Sequence, residues 1–126
     1  LTAGVQAVLG GARLLATNED PSWPAEDGIR PGAGALVAAV AVATDATPVF
    51  AGKPHQPICD LVLEAAGQTG TVVGDRPDTD GLLARAMGWN FALVLSGVIG
   101  DEDMPVDPVP DSVHADLASV VDEALR

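Results

Sequence analysis

Lys53 is the only lysine among 126 residues, and it stands in Gly52-Lys53-Pro54 directly after a short apolar run. A compact ammonium fixed at such a place can offset charge on a phosphate oxygen or a carboxylate nucleophile. One helix later comes Val72-Val73-Gly74-Asp75-Arg76-Pro77-Asp78-Thr79-Asp80, in which Asp75 directly follows a strand-like run. A strand-oriented carboxylate suits Mg²⁺, which takes a few carboxylate oxygens and completes six positions with water and substrate phosphate. Together the two segments point to metal-assisted phosphate chemistry. Plainer readings stand beside it: a lysine in a solvent-exposed loop, and aspartates that merely cap the next helix, whose N-terminus favours negative charge. Three carboxylates this close repel one another unless a cation is present, which favours metal binding at Asp75.

The charge balance limits the partners. The net charge is -12 and the six basic residues are scattered, so the clustered cations that neutralise a nucleic-acid backbone are missing. A small phosphorylated metabolite is still compatible, because one local cation and a bound divalent metal reverse the potential inside a single cleft. Hydrophobic residues make up 48% of the chain and aromatics 3%, so the core must be built from alanine, valine and leucine in close helix-on-sheet layers. The single cysteine, Cys59, falls among the apolar positions of a helix and reads as a small buried hydrophobe. No apolar stretch is long enough for a bilayer and no signal segment opens the chain, so a cytoplasmic, soluble protein without membrane partners is expected.

The elements that must position these residues follow from periodicity. Thr2 to Leu9 reads as helix, Arg13 to Thr17 as a short strand ending in Asn18-Glu19-Asp20-Pro21, and Ser22 to Gly34 as a loop punctuated by Pro24, Gly28, Pro31, Gly32 and Gly34. Ala35 to Ala43 predicts a helix apolar nearly all round, which implies burial on two sides. Pro48 to Ala51 is a strand, and Pro57 opens a helix with Ile58, Leu61, Val62 and Ala65 on one face and Gly67 as its stop. Thr71 to Val73 is a strand, Thr79 or Asp80 caps a helix through Met87, and Phe91 to Leu95 is an apolar strand. A proline-rich loop leads to Ser112-Val113-His114 and a last helix with Leu117, Val120, Val121 and Leu125 inward. Alternating strands and helices with continuous apolar strands predict an α/β fold around a parallel sheet. In such sheets ligands bind beyond the carboxyl ends of the strands, which selects Asn18 and Asp20, then Lys53, then Asp75, Asp78 and Asp80.

Gly52-Lys53-Pro54 and Gly74-Asp75-Arg76-Pro77-Asp78-Thr79-Asp80 closely resemble the third and fourth motifs of the haloacid dehalogenase (HAD) superfamily of phosphatases. Thr17-Asn18-Glu19-Asp20 with Pro31-Gly32-Ala33-Gly34 is similar to the cap-to-core segment of HAD subclass IIA, the nitrophenyl-phosphatase-like branch, and Leu93-Val94-Leu95-Ser96-Gly97-Val98 to its last core strand and loop. The resemblance implies the C-terminal portion of a Rossmann-like core, residues 31–126, preceded by the end of an α/β cap, residues 1–30. It implies that Lys53 stabilises charge shared by nucleophile and phosphoryl group, that Asp75 holds Mg²⁺, and that Asp80 supports the metal site through a water or hydrogen bond. Asn18 and Asp20 would face the cleft and select substrate.

The family's first motif, an apolar strand running into Asp-x-Asp-Gly, supplies the nucleophile and the general acid/base, and no such segment is found. Asp78-Thr79-Asp80-Gly81 matches its letters, but Arg76-Pro77 precedes it in place of a strand. The second motif is absent too, and the chain opens on Leu1 in mid-helix, so a fragment is expected that is inactive alone, left with an unpaired strand edge, and prone to self-association or to pairing with a missing N-terminal half. A rival reading is a non-catalytic module that keeps a Mg²⁺ and phosphate pocket or serves an interaction. His55 and His114 have no partner at zinc-ligand spacing, and the role of His55 is open.

Overall fold

A computed structural model describes all 126 residues, which divide into two compact units, Leu1–Gly52 and Lys53–Arg126. In the first unit the opening helix α1, Thr2–Leu9, leads to strand β1, Leu15–Ala16. A hairpin follows, β2 at Ser22–Ala25 and β3 at Gly28–Pro31, then helix α2 at Ala33–Thr44 and strand β4 at Val49–Phe50. Strands β1 and β4 pair in parallel, Leu15 opposite Val49 and Ala16 opposite Phe50.

The hairpin replaces the loop predicted over Ser22 to Gly34. Its strands are antiparallel with Trp23 opposite Arg30 and Ala25 opposite Gly28, and Glu26-Asp27 form the two-residue turn. Proline and glycine interrupt most strands, yet in a two-stranded ribbon each strand is an edge, where a missing N–H is tolerated. Gly28 leaves the turn at φ 123°, a conformation that side chains disfavour. Arg30 ties the ribbon together, bonding Asp27 through Nε and Nη2 and lying over the Trp23 ring. The two-sided burial predicted for α2 is also corrected: Val40 is its one buried residue, and Leu36 and Val42 are exposed. Apolar composition sets what a helix can bury, while the neighbours in this unit cover one side only.

The second unit carries the main sheet. Helix α3 spans Gln56–Ala66, β5 Thr71–Gly74, a π-type turn Pro77–Gly81, helix α4 Leu82–Met87, β6 Asn90–Val94, β7 Ser112–His114 and helix α5 Leu117–Ala124. The order is β5-β6-β7, all parallel, with Val72 opposite Phe91 and Leu93 opposite Val113. Central β6 buries Phe91, Ala92, Leu93 and Val94, as a strand covered on both faces should. Phe91 and Leu93 pack with Ala84 of α4, and Cys59, Leu83 and Met87 join Ile58, Val62 and Leu63 in the layer between α3 and α4. The buried Cys59 accords with the sequence reading, but the inner face of α3 is Ile58, Cys59, Val62 and Leu63; Leu61 and Ala65 are exposed. In α5, only Val120 of the predicted inner residues is half-buried, while Leu117, Val121 and Leu125 face outward. Strand β5 pairs with β6 alone, so its other edge has no strand partner.

Candidate active site

Asp75 is the first residue after β5, and Lys53 stands in the turn that leads into α3. The Lys53 ammonium reaches across to Asp80, with Nζ 2.5 Å from Oδ1. Asp80 is the one buried charged residue of the chain, and its side chain is 8% exposed against 46% for that of Lys53. Its second oxygen, Oδ2, accepts the Arg76 backbone N–H at 3.2 Å. Both carboxylate oxygens are therefore matched to donors, as burial of a charge requires.

The local backbone explains how Asp80 gets there. The N–H groups of Thr79, Asp80 and Gly81 all converge on the Arg76 carbonyl, opening a wide turn that swings residue 80 back under the end of β5. Gly74 makes the space: a Cβ at that position would lie 2.2 Å from Asp80 Oδ2. The predicted helix cap at Thr79 or Asp80 is thus corrected. No side chain caps this turn or α4, because the Asp80 carboxylate is turned toward Lys53.

The three aspartates are not crowded onto one cation. Asp78 turns outward to the Arg76 guanidinium, with Nε 3.2 Å from Oδ1 and Nη2 2.8 Å from Oδ2, and that pairing holds its carboxyl below the usual range. Asp75 uses Oδ2 to accept the Val98 N–H at 2.7 Å, while its Oδ1 has no protein donor. Each carboxylate has a separate partner, so mutual repulsion is relieved without a metal. Asp75, half-buried at a strand end, still offers one oxygen without a protein donor, a hard donor of the kind Mg²⁺ takes. No group of three or more His, Cys, Asp or Glu side chains is gathered at metal-binding distance. The donor set of this chain thus fits a magnesium ion held by one carboxylate here and by water, phosphate or other groups elsewhere.

Asn18 and Asp20 belong to the first unit. Asn18 Oδ1 accepts the Asp20 N–H at 3.2 Å, which folds the loop after β1 on itself. Glycines hold that loop closely: a Cβ on Gly52 would lie 1.8 Å from the Thr17 carbonyl oxygen, and one on Gly34 2.2 Å from that of Glu19. The structure therefore joins Lys53 with Asp80, places Asp75 on the same strand-to-turn segment, and links Asn18 with Asp20. The sequence reading includes Gly97 and Val98 in the loop after the last core strand but gives them no site role; in the structure they grip Asp75 from that loop. Their signal was available, since they follow a parallel strand at its carboxyl end.

A family model described as HAD-hydrolase-like matches residues 50–120, more than half of the chain. The chain belongs to the haloacid dehalogenase (HAD) superfamily of hydrolases. Its relatives are phosphatases of the subclass IIA kind. The chain is 32% identical over 126 residues to dihydroxyacetone phosphatase of Corynebacterium glutamicum, covering 97% of this chain and 46% of that protein. It superposes on p-nitrophenyl phosphatase of Archaeoglobus fulgidus with a TM-score of 0.82 and 35% identity, over 94% of this chain and 49% of the other. For glycerol phosphate phosphatase of Mycobacterium tuberculosis in complex with magnesium, the TM-score is 0.80 with 36% identity, over 94% and 37%. These matches establish the α/β HAD fold. The chain spans about half the length, or less, of the relatives it matches. No helix is long and apolar enough to cross a membrane.

Proposed function

We propose that the protein carrying this chain is a Mg²⁺-dependent phosphatase of small phosphomonoesters, and that residues 31–126 form one half of its core and residues 1–30 the end of its cap. The observation that carries this reading is the Lys53–Asp80 pair, 2.5 Å long, set beside a strand-end aspartate with one free oxygen. A buried carboxylate that anchors a half-exposed ammonium fixes positive charge at a stated place, and preorganised charge is what phosphoryl transfer needs.

In the proposed reaction, an aspartate outside these 126 residues attacks phosphorus, the alkoxide leaves, and water then hydrolyses the aspartyl-phosphate. Lys53 offsets charge shared by that aspartate and the transferring group. Asp80 keeps the lysine aimed, and supports the metal site through hydrogen bonding, since both its oxygens are already engaged. Asp75 would hold the magnesium through Oδ1, and the ion would supply Lewis-acid charge neutralisation at the phosphate oxygens. Asn18 and Asp20 act in substrate selection from a loop against which Gly34 and Gly52 pack closely. Because the attacking aspartate lies outside these residues, they alone are expected to lack turnover, and the unpaired edge of β5, where a further strand would pair, is expected to make them associate with themselves or with a complementary piece. Relatives that act on glycerol phosphate and dihydroxyacetone phosphate support a small phosphorylated metabolite as substrate, and the proposed compartment is the cytoplasm.

The test is release of nitrophenol from p-nitrophenyl phosphate by the full-length protein, before and after chelation. Activity that chelation abolishes and Mg²⁺ restores is expected; turnover indifferent to chelation would remove the metal from the mechanism.

A further inference from the structure

Asp75 is held by a loop to which no role attaches so far. Strand β6 ends at Val94, and the chain then runs Leu95-Ser96-Gly97-Val98 past the end of β5. The Val98 N–H donates to Asp75 Oδ2 at 2.7 Å, and this is the one hydrogen bond of that carboxylate. The approach is close because residue 97 has no side chain: a Cβ there would lie 2.0 Å from Oδ2, 2.4 Å from Cγ and 2.5 Å from Cβ of Asp75. Contacts of that length are not accommodated by a rotamer change, since the Asp75 Cβ itself is in the way. Val98 is 53% exposed, so its own side chain has little packing to justify the position of the turn.

We propose that the Gly97-Val98 turn is a positioning element for the metal-binding carboxylate. The Val98 N–H fixes one oxygen of Asp75 and thereby presents the other, Oδ1, as the ligand, while the bare Gly97 lets the turn come close enough to do so. This rests on the reading above that Asp75 binds Mg²⁺. Groups that orient a metal ligand without touching the metal typically change affinity by about 10- to 100-fold when altered.

The test uses the full-length protein and two readouts beside turnover. Isothermal calorimetry of Mg²⁺ binding should show Gly97→Ala weakened by about 10- to 100-fold, with kcat at saturating Mg²⁺ falling much less than affinity, while Ser96→Ala binds as wild type. Hydrogen exchange of the Val98 amide in the wild-type protein should slow on adding Mg²⁺ and become fast in Asp75→Ala with or without the ion. This second readout decides the matter if Gly97→Ala does not fold. Loss of Mg²⁺ binding in Asp75→Ala together with affinity within twofold of wild type in Gly97→Ala would overturn the positioning role alone. A Val98 amide that exchanges at one rate regardless of Mg²⁺ would do the same. Unchanged Mg²⁺ affinity in Asp75→Ala would overturn both this role and the metal assignment beneath it.

Discussion

Replacing Asp80 by asparagine removes one charge and leaves the shape nearly unchanged, which makes it a sharp probe of the Lys53 anchor. Two donors converge on this side chain, Lys53 Nζ at Oδ1 and the Arg76 N–H at Oδ2. An asparagine has one acceptor oxygen, so one donor must face an NH₂ group in a site that is 8% exposed. A hydrogen bond to a charged group contributes about 1.5–3 kcal/mol net, and a fully buried pair that loses one partner costs about 3–5 kcal/mol. Lys53 is 46% exposed and can turn to water, which places Asp80→Asn at the lower end, about 1–3 kcal/mol of destabilisation. Lys53→Ala should cost about 1–2 kcal/mol, because Asp80 then keeps only the Arg76 N–H. The assay is urea denaturation of the full-length protein and both single variants with the double, at pH 7 without Mg²⁺. A coupling energy of about 1 kcal/mol is expected. Effects that add to within about 0.3 kcal/mol would show that the two side chains do not act as a pair.

Two further outcomes follow from protonation. Asp111 Oδ2 accepts the Phe91 N–H and the Arg85 Nη1, both at 2.8 Å, and these bonds, the backbone one first, hold its carboxyl below the usual range. A depressed folded-state pKa gives stability that is present above the unfolded value, about 3.9, and lost as pH falls through the folded one. Asp111→Asn should therefore flatten the acid limb of Tm against pH below about pH 4, and an unaltered limb would contradict the contact. Burial, foremost, pushes the Cys59 thiol up. It should not react with a disulfide reagent at pH 8 until denaturant is added, and rapid labelling of the native protein would place Cys59 outside the core.

The α/β class and the order of elements were legible because parallel, doubly covered strands are written as unbroken apolar runs; Phe91 to Val94 is buried at each position. What was not legible depended on neighbours. Pro24 and Pro31 looked like loop residues because local propensity does not reveal that a ribbon has two free edges. Val42 looked buried because apolar character does not say whether a second layer is present. At the site, chemistry could be read at Lys53, Asp75 and Asp80, but not the division of labour. Asp80 faces the lysine and not its own helix because the wide turn at Pro77–Gly81 redirects it, and three N–H groups sharing one carbonyl leave no sequence pattern. The grip of Val98 on Asp75 is a backbone contact, so only the glycine before it carries a trace in the sequence.

The central claim is that Lys53 and Asp75 provide the electrostatic half of a phosphatase site. Its most direct test is kcat/KM for p-nitrophenyl phosphate in saturating Mg²⁺, measured on the full-length protein, Lys53→Ala and Asp75→Asn. Removing one group that stabilises transition-state charge costs about 10²–10³ in rate, and a loss of at least about 100-fold is predicted for each variant. Both variants turning over at the wild-type rate would contradict the account.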